Sequence, residues 1–436
     1  MDPALICFLA IIVMLTLIFL GVPIGFTLVI VGVGSFWLAM GLMQGTAMLA
    51  MTAWHYSTRW IMVCVPLFIL TGMLVQRAGV AAGMYEMLNR WLGRVYGGLA
   101  IVTTWACAIF GAITGSSAAT AAAMGSIAYP VMKKYKYHPE LAAGTLAASG
   151  TLGILIPPSL NMIIYAVLTE QSVGRLFIGG IIPGILSALI YALMIYFRAR
   201  RNPTLGPKGP FYTWHQRWES LPWIWHIALL FLIVIGGIYS GIFSPTEAAG
   251  VGAFAAFVIF SLTKRMTLSK LLDALGETGR LSAMILIIII GALIFSRFIA
   301  VSGVADQMIT WVAGLSYNRY IILFILILIY FILGMILDVI GMLAVSLPII
   351  FPIVMELGFD PIWFGILITK VSEVALITPP IGVNVYVVAG IAKDDISTER
   401  CFMAIFPFFL MDILTIIILI AFPALTLWLP NTMMGQ

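Results

Sequence analysis

Long apolar segments alternate with short polar ones along the whole chain, and many of them are about 18 residues or longer. Because a helix of about 20 apolar residues crosses the hydrocarbon core of a bilayer, the pattern predicts an all-α polytopic membrane protein. Residues 43–57 and 268–280 are predicted as short helices that lie along the membrane surface or brace it. The predicted single spans are residues 5–21, 24–39, 60–78, 176–197, 222–239, 248–262, 283–301 and 402–429.

Four further apolar segments are interrupted by prolines, glycines or hydroxyl residues and are predicted to be irregular. Residues 97–133 and 320–356 are each predicted to form a re-entrant helical hairpin. Residues 140–168 and 362–391 are each predicted to form a broken span. His138-Pro139 and Asp360-Pro361 precede the two broken spans and are typical of a polar cap followed by proline in the first helical turn.

The composition excludes a water-soluble globule. Hydrophobic residues make up 62% of the chain and charged residues 9%, and the mean hydropathy is +1.13. The four cysteines are scattered and form no CxxC pair, so neither a disulfide nor a zinc site is indicated. The first apolar segment lacks a basic start and a small-residue cleavage site, so we expect it to be a retained helix.

An internal repeat organises the chain into residues 1–218 and 219–436. Five pairs of prolines are separated by the same offset of 222 positions, which indicates a duplicated architecture. Gly79-Val80 and Gly303-Val304 match after small gaps. The five pairs are Pro23/Pro245, Pro130/Pro352, Pro139/Pro361, Pro157/Pro379 and Pro158/Pro380.

The placement of basic residues predicts that the second repeat is inverted relative to the first. If each hairpin enters and leaves on one side, each half crosses the membrane an odd number of times. Under this topology the segments around residues 90–94, 133–136, 198–217 and 264–280 lie on one side, which the positive-inside rule makes cytoplasmic. The net charge of +5 is therefore an orientation signal rather than a nucleic-acid-binding surface.

Four irregular points at membrane depth are the candidate sites, because non-helical backbone is tolerated there only within protein or a water-filled cavity. Proline pairs free carbonyl oxygens that can bind sodium, and half-helix N-termini attract carboxylates. The alternative interpretation is close helix packing by small residues, although the duplication of all four points favours a site. The points are residues 114–120, 150–161, 334–341 and 372–384.

Three ionisable residues are predicted inside spans, namely Asp338, Lys370 and Glu373. One interpretation places Asp338 near a cation and Glu373 beside the substrate or a coupling ion. The other is that Lys370 pairs with Asp338 or Glu373 and only neutralises it. The chain has no GxxxxGK[ST], HExxH or GxSxG motif, so neither ATP hydrolysis nor enzyme activity is indicated, and no organic cofactor is expected.

Six motifs together resemble the large membrane subunit of tripartite ATP-independent periplasmic (TRAP) transporters, the DctM/SiaM-like permeases. The resemblance covers nearly the whole chain. The motifs are VPLF at 65–68, GSSAAT at 115–120, IPPS at 156–159, LFIGGIIPG at 176–184, SPTE at 244–247 and TPPIGVN at 378–384.

The resemblance implies an elevator-type carrier, similar in fold to the ion transporter superfamily, in the bacterial inner membrane. A transport domain of both hairpins and both broken helices would slide against a scaffold made of the remaining helices. The implied partners are a small four-helix membrane subunit (DctQ/SiaQ-like) and a periplasmic substrate-binding protein (DctP/SiaP-like). The implied substrates are C4-dicarboxylates, sialic acids, sulfonates, other organic acids or compatible solutes.

Sodium is the coupling ion that the resemblance implies. Carried over by motif, sodium site 1 comprises Ser116, Ser117, Gly153 and Pro157, and sodium site 2 comprises Gly334, Asp338, Thr378 and Pro380. The substrate would lie between the hairpin tips, near Ser117, Ser159, Asn161, Glu373 and Asn384. The rival functions are a passive anion or ion channel, a proton-coupled carrier and a membrane-embedded enzyme. Polarity confined to the four irregular points favours a carrier over a channel.

Overall fold

The computed structural model describes residues 3–314 and 318–433, and every regular element in these ranges is a helix, which confirms the predicted all-α class. Six helices are long and apolar enough to span a membrane, or seven if one bent pair counts as a span. One arm of each hairpin, Gly98–Thr114 and Arg319–Gly334, and one half of the first broken span, Leu160–Thr169, are shorter apolar helices. The fold therefore combines helices of full span length with apolar helices that are shorter than a span.

The described residues of the first half form ten α-helices. They are α1 (Pro3–Phe19), α2 (Ile24–Met40), α3 (Leu42–Ser57), α4 (Cys64–Ala78), α5 (Ala81–Leu92), α6 (Gly98–Thr114), α7 (Ser117–Lys134), α8 (Pro139–Thr151), α9 (Leu160–Thr169) and α10 (Val173–Arg201). Helices α6 and α7 form the first hairpin, and α8 and α9 form the first broken span.

Twelve α-helices lie in the part of the second half that the structure describes. They are α11 (Trp214–Ser220), α12 (Trp225–Phe231), α13 (Gly237–Tyr239), α14 (Pro245–Leu262), α15 (Leu268–Ser302), α16 (Val304–Gly314), α17 (Arg319–Gly334), α18 (Val339–Glu356), α19 (Pro361–Ala375), α20 (Val383–Ile391), α21 (Thr398–Ala421) and α22 (Ala424–Asn431). Helices α17 and α18 form the second hairpin, and α19 and α20 form the second broken span.

Both broken spans begin with the predicted cap. Asp360 Oδ1 accepts hydrogen bonds from the amides of Ile362 and Trp363 at 2.8 and 3.0 Å. His138 accepts a 3.4 Å hydrogen bond from the amide of Glu140. In both helices the following proline occupies the first turn, where no amide donor is needed.

Contacts between distant segments show what lies at the open end of each hairpin. At the open end of the first hairpin, the Gly97 amide donates to the Gly206 carbonyl at 2.9 Å, within the loop that follows α10. Lys133, at the end of the same hairpin, lies 2.8 Å from Asp395, beyond α20. Lys133 and Gly206 lie in segments that the charge pattern assigns to one side. The two ends of the second hairpin also lie together, where Arg319 lies over the Phe359 ring at 5.1 Å.

Two local predictions were wrong, and one helix was not predicted. Residues 268–280 and 283–301 are one continuous helix, α15, because the intervening residues include no proline and the helix simply extends beyond its apolar part. The predicted span 222–239 corresponds to helical residues 225–239, which a bend of 53° separates from residues 214–223. Pro423 follows the end of α21, so the predicted span 402–429 is two helices. The amphipathic helix α5 was not predicted.

Candidate functional site

The tip of the first hairpin is a tight turn held by its own hydroxyl groups. Helix α6 ends at Gly115, whose φ of +61° is a left-handed conformation that favours glycine. Thr114 and Thr120 face each other across the turn, with their hydroxyl oxygens 2.8 Å apart. The Thr120 hydroxyl also donates to the Ser116 carbonyl at 2.8 Å. These bonds fix the start of α7, where amide groups lack helical partners.

The first break replaces helical hydrogen bonds with other groups. Pro157 and Pro158 have no amide hydrogen, so the carbonyls of Gly153 and Ile154 lose their helical donors. The Ser159 hydroxyl donates to the Ile154 carbonyl at 2.5 Å and so replaces one of them. The Gly153 carbonyl gains no such side-chain donor among the described residues. It is therefore a carbonyl at this break that could bind a cation.

Glycines bring the first hairpin onto the first break. A Cβ atom on Gly153 would lie 2.7 Å from the Gly111 Cα and 3.2 Å from the Thr120 hydroxyl oxygen. A Cβ atom on Gly115 would lie 3.2 Å from the Pro158 carbonyl oxygen. Real Cβ contacts are longer than this, so only glycine permits the two backbones to pack directly together.

A side-chain hydrogen bond then connects the first hairpin to the second break. The Ser117 hydroxyl donates to Asn384 Oδ1 at 3.1 Å, and Asn384 Nδ2 donates to the Ala147 carbonyl at 3.1 Å. Ser117 begins α7 and Asn384 lies in the first turn of α20, so two helix N-termini meet here. Their partial positive charges favour an anion between or beside them.

The second hairpin and the second break repeat this arrangement with differences. A Cβ atom on Gly334 would contact Ala375, which is 222 positions after Gly153. The Thr378 hydroxyl donates to the Val374 carbonyl, and the Asn384 amide donates to the Leu376 carbonyl at 3.4 Å. The carbonyls of Val374 and Leu376 thus both accept hydrogen bonds at the second break.

Asp338 is exposed at the tip of the second hairpin, immediately before α18. No hydrogen bond or ion pair joins it to Thr378 or Pro380 within the described ranges. The predicted members of sodium site 2 therefore lie on neighbouring elements, with Gly334 against the second broken span, but are not drawn together as tightly as those of site 1.

The two breaks differ in how far they are covered. Pro157 and Pro158 are buried beneath α10, where a Cβ atom on Gly180 would lie 2.5 Å from the Leu155 carbonyl oxygen. Pro379 and Pro380 are exposed. The positions 222 residues after Gly180 and Gly184 are phenylalanines, which leave an apolar groove of about 590 Å³ beside the second break. The groove is lined by Ile377, Thr378, Pro379, Phe402, Met403, Ile405, Phe406 and Phe409.

A separate cluster of charged side chains is buried between α19, α21 and α10, next to the second break. Lys370 Nζ lies 2.6 Å from Glu373 Oε2 and 2.7 Å from Asp412 Oδ1, and all three side chains are fully buried. The Tyr191 hydroxyl donates to Asp412 Oδ1 at 2.6 Å. Lys370 thus has Glu373 as a partner, as one interpretation predicted, but its other partner is Asp412 rather than Asp338.

Sequence reasoning missed Asp412 and Tyr191. A signal for Asp412 was present, because a carboxylate within the apolar stretch of α21 is expensive in a membrane and usually marks a site. No comparable signal existed for Tyr191, since a tyrosine within a span is unremarkable in sequence. Its role depends on α10 packing beside α21.

The structure groups most of the predicted site 1 and substrate residues. Ser116, Ser117, Gly153, Pro157, Ser159 and Asn384 lie at the meeting of the first hairpin with the two breaks. Asn161 is buried in the first turn of α9, just after them. Glu373 is instead held within the charged cluster, with no exposed surface in this conformation. The binding roles of all these residues stay predictions.

Two hairpins that turn back inside the bilayer and two spans broken at matched prolines define a membrane transport protein of the inverted-repeat type. Residues 11–425 match the family described as tripartite ATP-independent periplasmic transporter, DctM component. The chain belongs to this family, and it is therefore a large permease subunit of a TRAP transporter and not an enzyme.

Several named relatives agree with this assignment. The chain is 36% identical to a C4-dicarboxylate TRAP transporter large permease protein DctM of Pseudomonas aeruginosa, over 88% of this chain and 89% of that protein. It is 29% identical to the sialic acid TRAP transporter large permease protein SiaM of Vibrio cholerae, over 97% of both chains. An ectoine/5-hydroxyectoine permease, UehC of Ruegeria pomeroyi, is 32% identical over 84% of this chain and 85% of its own length.

A solved structure shares the fold. The YdaH transporter of Alcanivorax borkumensis, described as having an unusual topology, superposes with a TM-score of 0.61 over 90% of this chain and 89% of that one. Its sequence identity is 15%, so the similarity concerns architecture alone.

Proposed function

We propose that this chain imports a small organic anion across the bacterial inner membrane by sodium-coupled, elevator-type alternating access. The observation that carries the proposal is the Ser117–Asn384 hydrogen bond, which joins the first hairpin to the second broken span. Both irregular backbones and both helix N-termini thus belong to one connected unit. Such a unit can hold a cation and an anion side by side and move with them.

The proposed sodium ligands lie at the first break and on the hairpin tip beside it. The Gly153 carbonyl has lost its helical donor to Pro157, and the Ser116 and Ser117 hydroxyls lie on the hairpin tip that packs there. Neutral oxygen atoms of this kind suit a hard cation. The helix N-termini beside them suit the carboxylate of the cargo.

The moving unit would consist of the two hairpins and the two broken spans, and the remaining helices would form the scaffold. Scaffold packing favours this division, since Gly25 and Gly32 of α2 contact α15 at Ile288 and Ile294. Family membership supports two partners, a small four-helix membrane subunit and a periplasmic binding protein that delivers the substrate.

A C4-dicarboxylate is the first substrate to test, because the relatives at 36% identity from Pseudomonas aeruginosa and Vibrio cholerae are named for that class. Sialic acid and ectoine follow, from other relatives. The ligand that co-purifies with the partner binding protein would identify the natural substrate directly.

Reconstitution with the partner proteins in liposomes tests the proposal. Uptake of radiolabelled C4-dicarboxylate should require an inward sodium gradient and should be lost when Pro157 and Pro158, or Pro379 and Pro380, are replaced by alanine. Pro203→Ala, in an exposed loop, is the matched control and should transport normally. Sodium-independent uptake down the substrate gradient would indicate a channel, and uptake driven by protons alone would remove the sodium claim.

A further inference from the structure

Three ionisable side chains meet in the interior of the second half, away from the hairpin tips. Lys370 and Glu373 lie one turn apart on α19, and Asp412 lies on α21. All three are fully buried, and the lysine ammonium lies between the two carboxyl groups, at 2.6 Å from Glu373 and 2.7 Å from Asp412. One carboxylate would be enough to neutralise the lysine, so the second carboxyl group needs another explanation.

The charges of this cluster do not balance if every group is ionised. One ammonium and two carboxylates give a net charge of −1, and no second cationic side chain joins them among the described residues. Three tyrosines on neighbouring helices also lie along α19 and α21. Tyr191 of α10 bonds to Asp412, while Tyr165 of α9 and Tyr330 of α17 pack farther along α19, at Gly365 and Phe364. An uncompensated charge at such a place is strongly unfavourable.

Hydrogen bonding distinguishes the two carboxyl groups. Asp412 Oδ1 accepts from Lys370 and also from the Tyr191 hydroxyl at 2.6 Å, and bonds to an anion favour the charged form. Glu373 accepts from Lys370 alone, and its Oε1 atom has no partner. Glu373 is thus the group better suited to hold a proton.

A proton fits this place better than a metal ion. The described residues contain no group of three His, Cys, Asp or Glu side chains that could hold a metal. Two of the four carboxyl oxygens are already occupied by the lysine, which leaves Glu373 Oε1 and Asp412 Oδ2. A proton needs only one oxygen, whereas hard cations take several.

The cluster is specific to the second repeat and adjoins its break. The positions 222 residues before Lys370 and Glu373 are Ala148 and Thr151, so the first repeat carries no such charges. Glu373 directly precedes Val374, whose carbonyl accepts the Thr378 hydroxyl at the start of the break. A rearrangement of the break would therefore move Glu373.

We propose that Lys370, Glu373, Asp412 and Tyr191 form a proton-binding site, in which Glu373 holds one exchangeable proton that the carrier moves together with its cargo. The proton is taken from water on one side and released on the other, so it adds to the sodium ions at the hairpin tips. Its movement rests on the proposed carrier function, whereas its binding does not.

Infrared spectroscopy of the purified protein tests binding without any transport. The wild type at neutral pH should show the carbonyl band of a protonated carboxyl group, and this band should be lost in Glu373→Gln. Asp412→Asn should lose it too, because one carboxylate then balances one ammonium. Glu356→Gln, at the exposed end of α18, is the matched control and should keep it. A wild type without the band, or both cluster variants with it, would overturn the proposal.

A pH-sensitive dye inside the liposomes tests movement. Under a fixed sodium gradient, C4-dicarboxylate uptake by the wild type and by Glu356→Gln should acidify the interior. The number of protons per substrate should fall to zero in Glu373→Gln. An unchanged ratio in that variant would refute the proposed coupling. Absence of uptake in every protein would count against the proposed function, while the infrared result would still decide the proton site.

Discussion

The Ser117 hydroxyl and the Asn384 side-chain amide meet at 3.1 Å, although 267 positions separate them in sequence. One lies on the tip of the first hairpin and the other just beyond the break of the second repeat. The bond therefore ties the two halves together at the place where backbone carbonyls and helix N-termini are exposed to each other. A change at either residue therefore acts directly on the other half of the chain.

Removal of this bond should weaken transport. In Ser117→Ala the Asn384 Oδ1 atom loses its donor. A hydrogen bond of this kind contributes about 1 kcal/mol, or about fivefold in an equilibrium constant. We expect the apparent affinity for sodium or substrate to fall by about that factor in uptake assays. Ser126→Ala, on the exposed face of the same helix, should not change it. Equal effects of the two substitutions would argue against a site at Ser117.

Close packing of the first hairpin on the first break should not tolerate a methyl group. Gly111→Ala places a Cβ atom against Gly153, and overpacking of this kind costs roughly 1–3 kcal/mol. Thermal unfolding in detergent should therefore occur at a lower temperature, and uptake should fall. Gly276→Ala is the control, because a Cβ atom there meets nothing within 4 Å. Should Gly111→Ala unfold at the control temperature, the close approach would be disproved.

Lys370 should matter more for stability than any exposed lysine. Lys370→Met leaves the Asp412 carboxylate buried without its cation, and such a loss costs about 3–5 kcal/mol. We expect a marked fall in unfolding temperature, partly restored in Lys370→Met/Asp412→Asn. Lys393→Met, on the surface, should behave as the wild type does. A stable Lys370→Met protein with an unaltered unfolding temperature would contradict the buried ion pair.

Acid should weaken the contact between the first hairpin and the end of α20. The Lys133 ammonium, and after it the Tyr129 hydroxyl, hold the pKa of the Asp395 carboxyl below its ordinary value. A lowered folded-state pKa stabilises the fold above the ordinary value of about 4, and this contribution is lost as pH falls through the folded-state value. The difference in unfolding temperature between wild type and Asp395→Asn should thus be constant near neutral pH and shrink below about pH 4.

Asp394→Asn provides the control for that measurement, since Asp394 is the exposed neighbour of Asp395. Its unfolding temperature should follow the wild type at every pH. A difference between wild type and Asp395→Asn that persists in acid would show that Lys133 does not stabilise the Asp395 charge.

The sequence by itself determined the class and the outline of the fold. The length of an apolar segment determines whether it can cross a bilayer, and adjacent prolines favour a break in a helix, so both are local properties. The offset of 222 residues between Pro157 and Pro379 predicted that both spans are interrupted at matching positions. The motifs around these prolines were enough to indicate the family.

Tertiary structure alone decided which residues meet. Whether Lys370 pairs with Asp338 or Asp412, and whether Glu373 faces the cargo or the lysine, depends on how separate helices pack, which periodicity does not record. The same holds for the covered first break and the open second one, since Gly180 and Phe402 act through the partner that each touches. Local patterns report each segment's solvent and flexibility, whereas contacts across hundreds of residues are selected by shape and charge in the folded chain.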